Sequence, residues 1–295
     1  MSKINKKPII FFYSIYNFLL NITIIYLLTF VWSILDIMEK RPLILLTNDD
    51  GITAPGLRTL IKVMNRIGEV VVVAPDSPQS GMGHAITVND TLYCKKEHID
   101  AGPQTEYSTS GTPADCVKLA VNEILKRKPD LCVSGINHGS NASINVIYSG
   151  TMSAAVEAGV EGIPSIGFSM CDYNWNASFS LCEKYIEIIS REVLIKSKKK
   201  NIILNVNFPK ISKGGNYKGI KVCRQAVSYW KETFDKRQNP NGRNYYWLTG
   251  KFVNLDKGKD TDQWALNNGY ISIVPTMYDM TSYPEINEIS KWNLK

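Results

Sequence analysis

The stretch Leu43-Ile44-Leu45-Leu46-Thr47-Asn48-Asp49-Asp50-Gly51 constrains the fold of this chain more than any other. Its apolar run has no alternation, so as a strand it must be buried on both faces, as strands are inside parallel sheets. A short glycine-bearing turn follows. Beyond Pro55, residues Leu57, Leu60, Ile61 and Met64 fall at the spacing of one helix face. Strand, tight turn and helix form the first unit of a doubly wound α/β sheet, in which ligands sit at the carboxyl ends of strands.

The chemistry lies in that turn. A dinucleotide-binding protein places glycines here so that backbone amides cradle a pyrophosphate. This chain places two adjacent carboxylates instead. Two unit charges ~4 Å apart repel by ~4 kcal/mol at an effective dielectric near 20. A hard divalent cation between carboxylates and a phosphate reverses the balance. The residues alone equally allow an Asx-type turn that caps the helix with both aspartates solvated.

Composition narrows the alternatives. With 295 residues and 44% apolar content, the chain can bury one large core or a core plus an appendage. Of the net charge of +7, Lys3, Lys6, Lys7 and Asp36 place +2 in the first 37 residues. The remaining +5 is spread out and forms no basic stripe of the kind that binds nucleic acid. Six cysteines stand singly with no C-x-x-C, as reduced core residues do in a cytoplasmic protein. Three histidines, His84, His98 and His138, supply a transition-metal site or a catalytic dyad poorly.

Residues 1–37 differ in kind. Pro8 to Leu35 carries no charge, which is long enough to span a bilayer, and lysines precede it. The segment contains no alanine or glycine, so it offers no small-x-small cleavage site. Met38-Glu39-Lys40-Arg41-Pro42 reads as a natural beginning just before the first strand. The expectation is an upstream extension to a protein that starts at Met38; the alternative is a membrane anchor over residues 8–35.

Further along, Glu69–Ala74 is a second buried strand, ending in a Gly/Pro-rich loop from Pro75 to Gly83. Short strands are expected at Ala85–Val88, Leu92–Glu97 and Thr105–Ser110. Thr112-Pro113-Ala114-Asp115 opens a helix as N-cap, N1 proline and first-turn acid. Asp130–Ser134 is a strand, and Gly135–Asn141 is expected as a loop. Tyr148-Ser149-Gly150-Thr151 leads into a small-residue helix whose first amides and hydroxyls make an anion site or, as plainly, a helix cap. Two more strands, Ile163–Ser169 and Ile202–Val206, flank a helix around Phe179–Ile195. Residues 219–255 form an aromatic and basic two-stranded arm turning at Asn239-Pro240-Asn241-Gly242, and Gly269–Pro275 returns as a strand. Such an arm is unstable alone in water and needs a surface to pack on, such as a second subunit.

Several of these motifs, in one order from about Arg41 to about Thr276, resemble the SurE survival-protein family of nucleotidases. They are Thr47–Ile52 with Ala54-Pro55-Gly56, Ala74-Pro75 with Gln79-Ser80-Gly81, and Gly111–Val117. Ser134-Gly135-Ile136-Asn137 with Gly139 and Asn141, Tyr148–Thr151, Asn205-Val206-Asn207 with Pro209, and Thr261-Asp262 with Trp264-Ala265 complete the set. The resemblance implies a three-layer Rossmann-like core with a C-terminal hairpin used for homodimers or homotetramers. It also implies a metal-dependent phosphomonoesterase acting on nucleoside 5′- and 3′-monophosphates. By motif position the metal ligands resemble Asp49, Asp50, Ser80 and Asn137, an all-oxygen set for Mg²⁺ or Mn²⁺. Asp49 and Asp50 are then the catalytic carboxylates, and Asn141, Ser149, Gly150 and Thr151 the phosphate contacts. Where members often carry an acid before the Tyr-Ser-Gly-Thr turn, this chain has Asn145, so no general acid is assigned there. The competing readings are a phosphate or nucleotide sensor without turnover and a nucleic-acid binder using the 219–255 arm.

Overall fold

Strand β1 (Leu43–Thr47) is buried along its whole length, and its side chains divide between two cores. Ile44 and Leu46 enter one hydrophobic cluster, Leu43 and Leu45 the other. That division makes the molecule three-layered, because a strand apolar on both faces needs helices on both. The computed structural model describes residues 24, 26, 27, 41–197, 201–212 and 214–294. The chain divides into a unit Met1–Arg41 and a unit Pro42–Lys295. In the first, only Ile24, Tyr26 and Leu27 precede residue 41 among the described residues, all helical and exposed. The extension expected over residues 1–37, and the anchor considered over 8–35, otherwise lie outside them. Among the described residues no helix is long and apolar enough to cross a membrane.

In the second unit β1 leads through α1 (Pro55–Asn65) to β2 (Glu69–Pro75). Strands β3 (Cys94–Glu97) and β4 (Thr105–Thr109) precede α2 (Pro113–Leu119), which runs into a wider helical turn, Ala120–Ile124. Then come β5 (Leu131–His138), α3 (Gly150–Val160), β6 (Ser165–Met170), α4 (Ser180–Lys196) and β7 (Ile203–Phe208). Strand β8 (Ile220–Val222), the hairpin β9 (Ser228–Gln238) and β10 (Asn244–Asn254), α5 (Asp262–Asn267), β11 (Ile271–Thr276) and α6 (Tyr283–Ile289) follow. The main sheet has nine strands in the order β3-β4-β2-β1-β5-β6-β7-β11-β8. All neighbours are parallel except β3 with β4 and β11 with β7. From β1 the chain winds outward through β2 to β4, then returns to β5 on the other side. The strand order therefore reverses between β1 and β5, where a crevice opens at the carboxyl ends.

Helices α1 and α4 cover one face. The former buries Leu57, Leu60, Ile61 and Met64, the latter Cys182, Ile186, Ile189 and Val193, each set at helical spacing. Helices α2 and α3 cover the other with Cys116, Val117, Ala154 and Ala158. The small side chains of α3 let it lie close on the sheet; even Gly167 of β6 has no room for a Cβ, which would come 2.4 Å from Met152 Sδ. All six cysteines are free, four of them buried.

Three expectations need correcting. Ala85–Val88 is not a strand, because its polar groups are committed to the start of α2. Ala85 O accepts from Thr112 Oγ1 at 2.7 Å, and Thr87 N donates to Asp115 Oδ1 at 3.0 Å. Residues 135–138 are not loop but strand: β5 continues to His138 through a register shift against β6 between Ser134 and Asn137. The arm is shorter than 219–255, since Ile220–Val222 pairs with β11 at the sheet edge. The hairpin itself begins at Ser228, and its Asn239–Arg243 turn is where the sequence places it. Its base is pinned by buried Asp262, which accepts from Ser143 N at 2.7 Å and Ala226 N at 3.0 Å.

Asp115 is the main clasp between α2 and the preceding loop, accepting from Thr87 Oγ1 at 2.6 Å and Thr112 N at 2.9 Å as well as from Thr87 N. Burial acts to raise its pKa, but the bonds from Thr87 and Thr112 outweigh it and hold the carboxyl below its ordinary value. Asp115→Ala is expected to lower unfolding free energy in urea by about 2 kcal/mol at neutral pH, the cost of stranding these donors. A depressed folded pKa gives stability above the unfolded value near ~3.9 that disappears as pH falls through the folded one. The gap between wild type and variant should therefore narrow as pH falls below the unfolded value near ~3.9; a gap that stays the same there refutes the clasp.

Candidate active site

The crevice beside β1 is built from the ends of four segments. The turn after β1 brings Asp49, the loop after β2 brings Ser80 and Gly81, the end of β5 brings Asn137 and His138, and the start of α3 brings Ser149. Asn141, Asn145, Tyr148, Tyr173 and Trp230 complete the wall. The two segments nearest Asp49 are tied to it directly: Gln79 N donates to Asp49 O at 2.8 Å, and Thr151 Oγ1 donates to Asp49 Oδ1 at 2.6 Å.

Asp49 is only 4% exposed. Burial pushes its carboxyl up to about 6; hydrogen bonding from the Thr151 side chain and backbone opposes the rise, while the neighbouring Asp50 charge adds to it. It lies against the N-terminus of α3, whose backbone dipole favours negative charge there. Gly150 is what allows the approach, since a Cβ at that position would come 2.6 Å from Asp49 Cβ. Asp50 turns toward β5, where its Oδ2 accepts from His138 N at 3.3 Å and His138 Nδ1 at 3.2 Å.

The structure thus gathers Asp49, Ser80, Asn137, Asn141 and Ser149 on one wall. Gly150 and Thr151 stand behind Asp49. The Thr151 hydroxyl is engaged by the Asp49 carboxylate, and Ser149 Oγ caps α3 by accepting from Met152 N at 3.0 Å. Asn141 is anchored by Asn205, Asn207 and Ser169: its N donates to Asn207 Oδ1, its O accepts from Asn205 Nδ2, and its Nδ2 donates to Ser169 Oγ. Those three supports have no signal in sequence spacing beyond the asparagine pair itself. A second cluster was equally hidden. Buried Glu157 on α3 accepts from Lys118 Nζ at 2.6 Å and meets His84 Nε2 at 2.7 Å. It ties the Ser80 loop to α3, and although burial works to raise its pKa, His84 and Lys118 hold the carboxyl below the ordinary range. His98 is exposed.

Cation binding fits these donors. Asn137 Nδ2 donates to Gly139 O at 3.0 Å, which leaves its Oδ1 without a donor among the described residues. That oxygen, the Ser80 hydroxyl and the Asp49 carboxylate line the crevice, with Asp50 next to Asp49 and turned to His138; oxygen donors of this kind suit a hard divalent ion. Among the described residues no group of three or more His, Cys, Asp or Glu side chains is placed to hold a metal, so a softer transition-metal cage has no counterpart.

Residues 44–232 match the family described as survival protein SurE. The 5′-nucleotidase SurE of Flavobacterium psychrophilum is 66% identical over 255 residues, covering 86% of this chain and 99% of that protein. That of Christiangramia forsetii is 64% identical, covering 87% of this chain and 98% of that protein. Among solved structures, the SurE protein of Aquifex aeolicus superposes with a TM-score of 0.72 at 39% identity, covering 84% of this chain and 98% of that chain.

The tight seat of Asp49 sets the sign of one substitution. At an unconstrained helix start Gly→Ala stabilises by about 0.4–1 kcal/mol. At Gly150 the methyl meets Asp49, so Gly150→Ala should instead destabilise by about 1–3 kcal/mol in chemical denaturation. A stabilised variant would mean that Asp49 has slack.

Proposed function

The chain belongs to the SurE survival-protein family, and from that premise we propose that it is a divalent-metal-dependent 5′-nucleotidase. It hydrolyses nucleoside 5′- and 3′-monophosphates to nucleoside and phosphate in the crevice at Asp49. The observation that carries this reading is the meeting of a buried carboxylate with the N-terminus of α3 at the switch between β1 and β5. A place for a cation and a place for an anion fall side by side there.

Asp49, Asp50, Ser80 Oγ and Asn137 Oδ1 would hold Mg²⁺ or Mn²⁺. When bound, such an ion supplies charge neutralisation of the phosphate and a water of lowered pKa. The chain's own groups do the remainder. Asp49 or Asp50 takes the proton of the attacking water as general base. The backbone at Ser149 and Gly150, with the Asn141 side chain, orients the equatorial phosphoryl oxygens. Thr151 acts one step back, with its hydroxyl committed to the Asp49 carboxylate. With an amide at Asn145, which accepts from Trp230 Nε1 at 2.8 Å, the leaving nucleoside oxygen draws its proton from solvent or from the same carboxylates.

The hairpin supports a homo-oligomer. Nearly all of β9 and β10 is exposed, including Phe234, Tyr246, Trp247 and Leu248. A two-stranded ribbon carrying that much apolar surface is stabilised by a partner surface, and a second copy of the chain supplies one in a homodimer or homotetramer.

Phosphate release from AMP and from p-nitrophenyl phosphate should require added Mg²⁺ or Mn²⁺ and stop with EDTA. Asp49→Asn should reduce kcat/KM by ~100-fold or more with the circular dichroism unchanged, since a direct ligand exceeds the effect of its supports. Full turnover in chelator would refute the metal reading. Replacing residues 229–253 with a short Gly/Ser linker should lower the mass measured by light scattering to that of one chain. An unchanged mass would place the subunit contact elsewhere.

A further inference from the structure

His138 stands in the Ser134–Asn141 segment at a position to which neither motif nor spacing assigned chemistry, yet it is the group that holds Asp50. Its ring Nδ1 lies 3.2 Å and its backbone N 3.3 Å from Asp50 Oδ2. Both contacts use one carboxylate oxygen; Oδ1 accepts no bond among the described residues. The imidazole is itself held from two sides. It stacks on Trp175 with centroids 5.1 Å apart and planes at 17°, and it meets Phe179 edge-on, also at 5.1 Å. Its side chain is 6% exposed, and its buried Nε2 has no hydrogen-bond partner among the described residues.

That last fact fixes the ring's role. An N–H at Nε2 would be buried without an acceptor, whereas a lone pair there loses less. In the neutral ring the proton therefore belongs on Nδ1, where Asp50 accepts it. The aromatic pair fixes the ring plane, the ring fixes Oδ2, and the carboxylate is left to present Oδ1. Backbone attachment of His138 to the end of β5 puts this support on the strand that also carries Asn137, so two proposed oxygen donors are set by one rigid element.

Resting on the metal reading above, we propose that His138 is a positioning residue for the cation site: clamped between Trp175 and Phe179, it donates Nδ1–H to Asp50 and orients that carboxylate for the divalent ion. It does not touch substrate and transfers no proton.

The test is Mn²⁺ affinity of the metal-stripped full-length protein, by titration calorimetry and by loss of the free-ion electron paramagnetic resonance signal. His138→Phe keeps the aromatic stack and loses the donor; His138→Asn loses the stack and keeps an N–H near the place of Nδ1. His138→Phe is expected to weaken Mn²⁺ binding by ~10-fold or more, and His138→Asn to recover most of it. Asp49→Asn serves as the control that loses binding outright. If Asp49→Asn loses the ion while His138→Phe binds it as wild type does, the positioning role is wrong and the metal site stands. If Asp49→Asn binds Mn²⁺ unchanged, the metal site is wrong and the role of His138 falls with it. Loss in His138→Asn with wild-type binding in His138→Phe would overturn the hydrogen bond in favour of packing.

Discussion

Everything in the crevice depends on a carboxylate that ought not to be comfortable where it is. Asp49 follows a strand buried on both faces, so the turn that carries it starts at the depth of the core. Burial disfavours its charge, and Asp50 beside it disfavours the charge further. What makes the arrangement tolerable is the start of α3, which gives Asp49 a hydroxyl bond from Thr151 and the positive end of a helix. Without the contact with α3, burial and the Asp50 charge would act on the carboxylate unopposed by Thr151.

That dependence explains the small residues of α3. A helix can seat itself against Asp49 only if its first residue has no side chain, and it lies close on the sheet through small residues, Ala154 and Ala158 toward the β1 and β5 side and Ala155 and Gly159 toward Ile203 of β7. Gly159 has Ile203 where a Cβ would go. The same helix carries Glu157, which reaches out to Lys118 on α2 and to His84 in the loop that bears Ser80. One helix thus sets the depth of the carboxylate, its hydrogen bond and the position of the loop opposite. The crevice is a packing consequence of α3 as much as a property of the β1 turn.

Around this centre the molecule uses hydrogen-bonded amides rather than additional charge. Asn205 and Asn207 on β7 hold Asn141, Asn137 turns its amide nitrogen onto Gly139, and His138 holds Asp50. Asn141, Asn137 and Asp50 each have an orientation set by a bond behind them, which is the condition for a preorganised oxygen site. The hairpin is the opposite case. It is tied at its root by Asp262 and by Trp230 to Asn145, and beyond that its strands bond mainly to each other.

The sequence by itself determined the layer architecture, because an unbroken apolar strand such as Leu43–Leu46 has one stable environment, between helices. It determined the α1 face, the capping of α2 by Thr112 and the hairpin turn at Asn239–Gly242, since each is a local pattern of a few residues. Motif order made Asp49, Asp50, Ser80, Asn137 and Ser149 legible as a group. Only the tertiary structure decided what those groups are bonded to. Thr151 was legible as a hydroxyl at a helix start, yet its partner is a residue 102 positions away. His138 was legible only as a loop histidine, because the register shift that extends β5 and the aromatic clamp from Trp175 and Phe179 join segments that local periodicity never compares. Ala85–Val88 looked like a strand for the same reason: the partners of its backbone, Thr112 and Asp115 at the start of α2, lie in a distant segment. Local patterns fix which backbone forms a segment adopts; long-range hydrogen bonds and close packing fix where a side chain points, and the chemistry follows from the second.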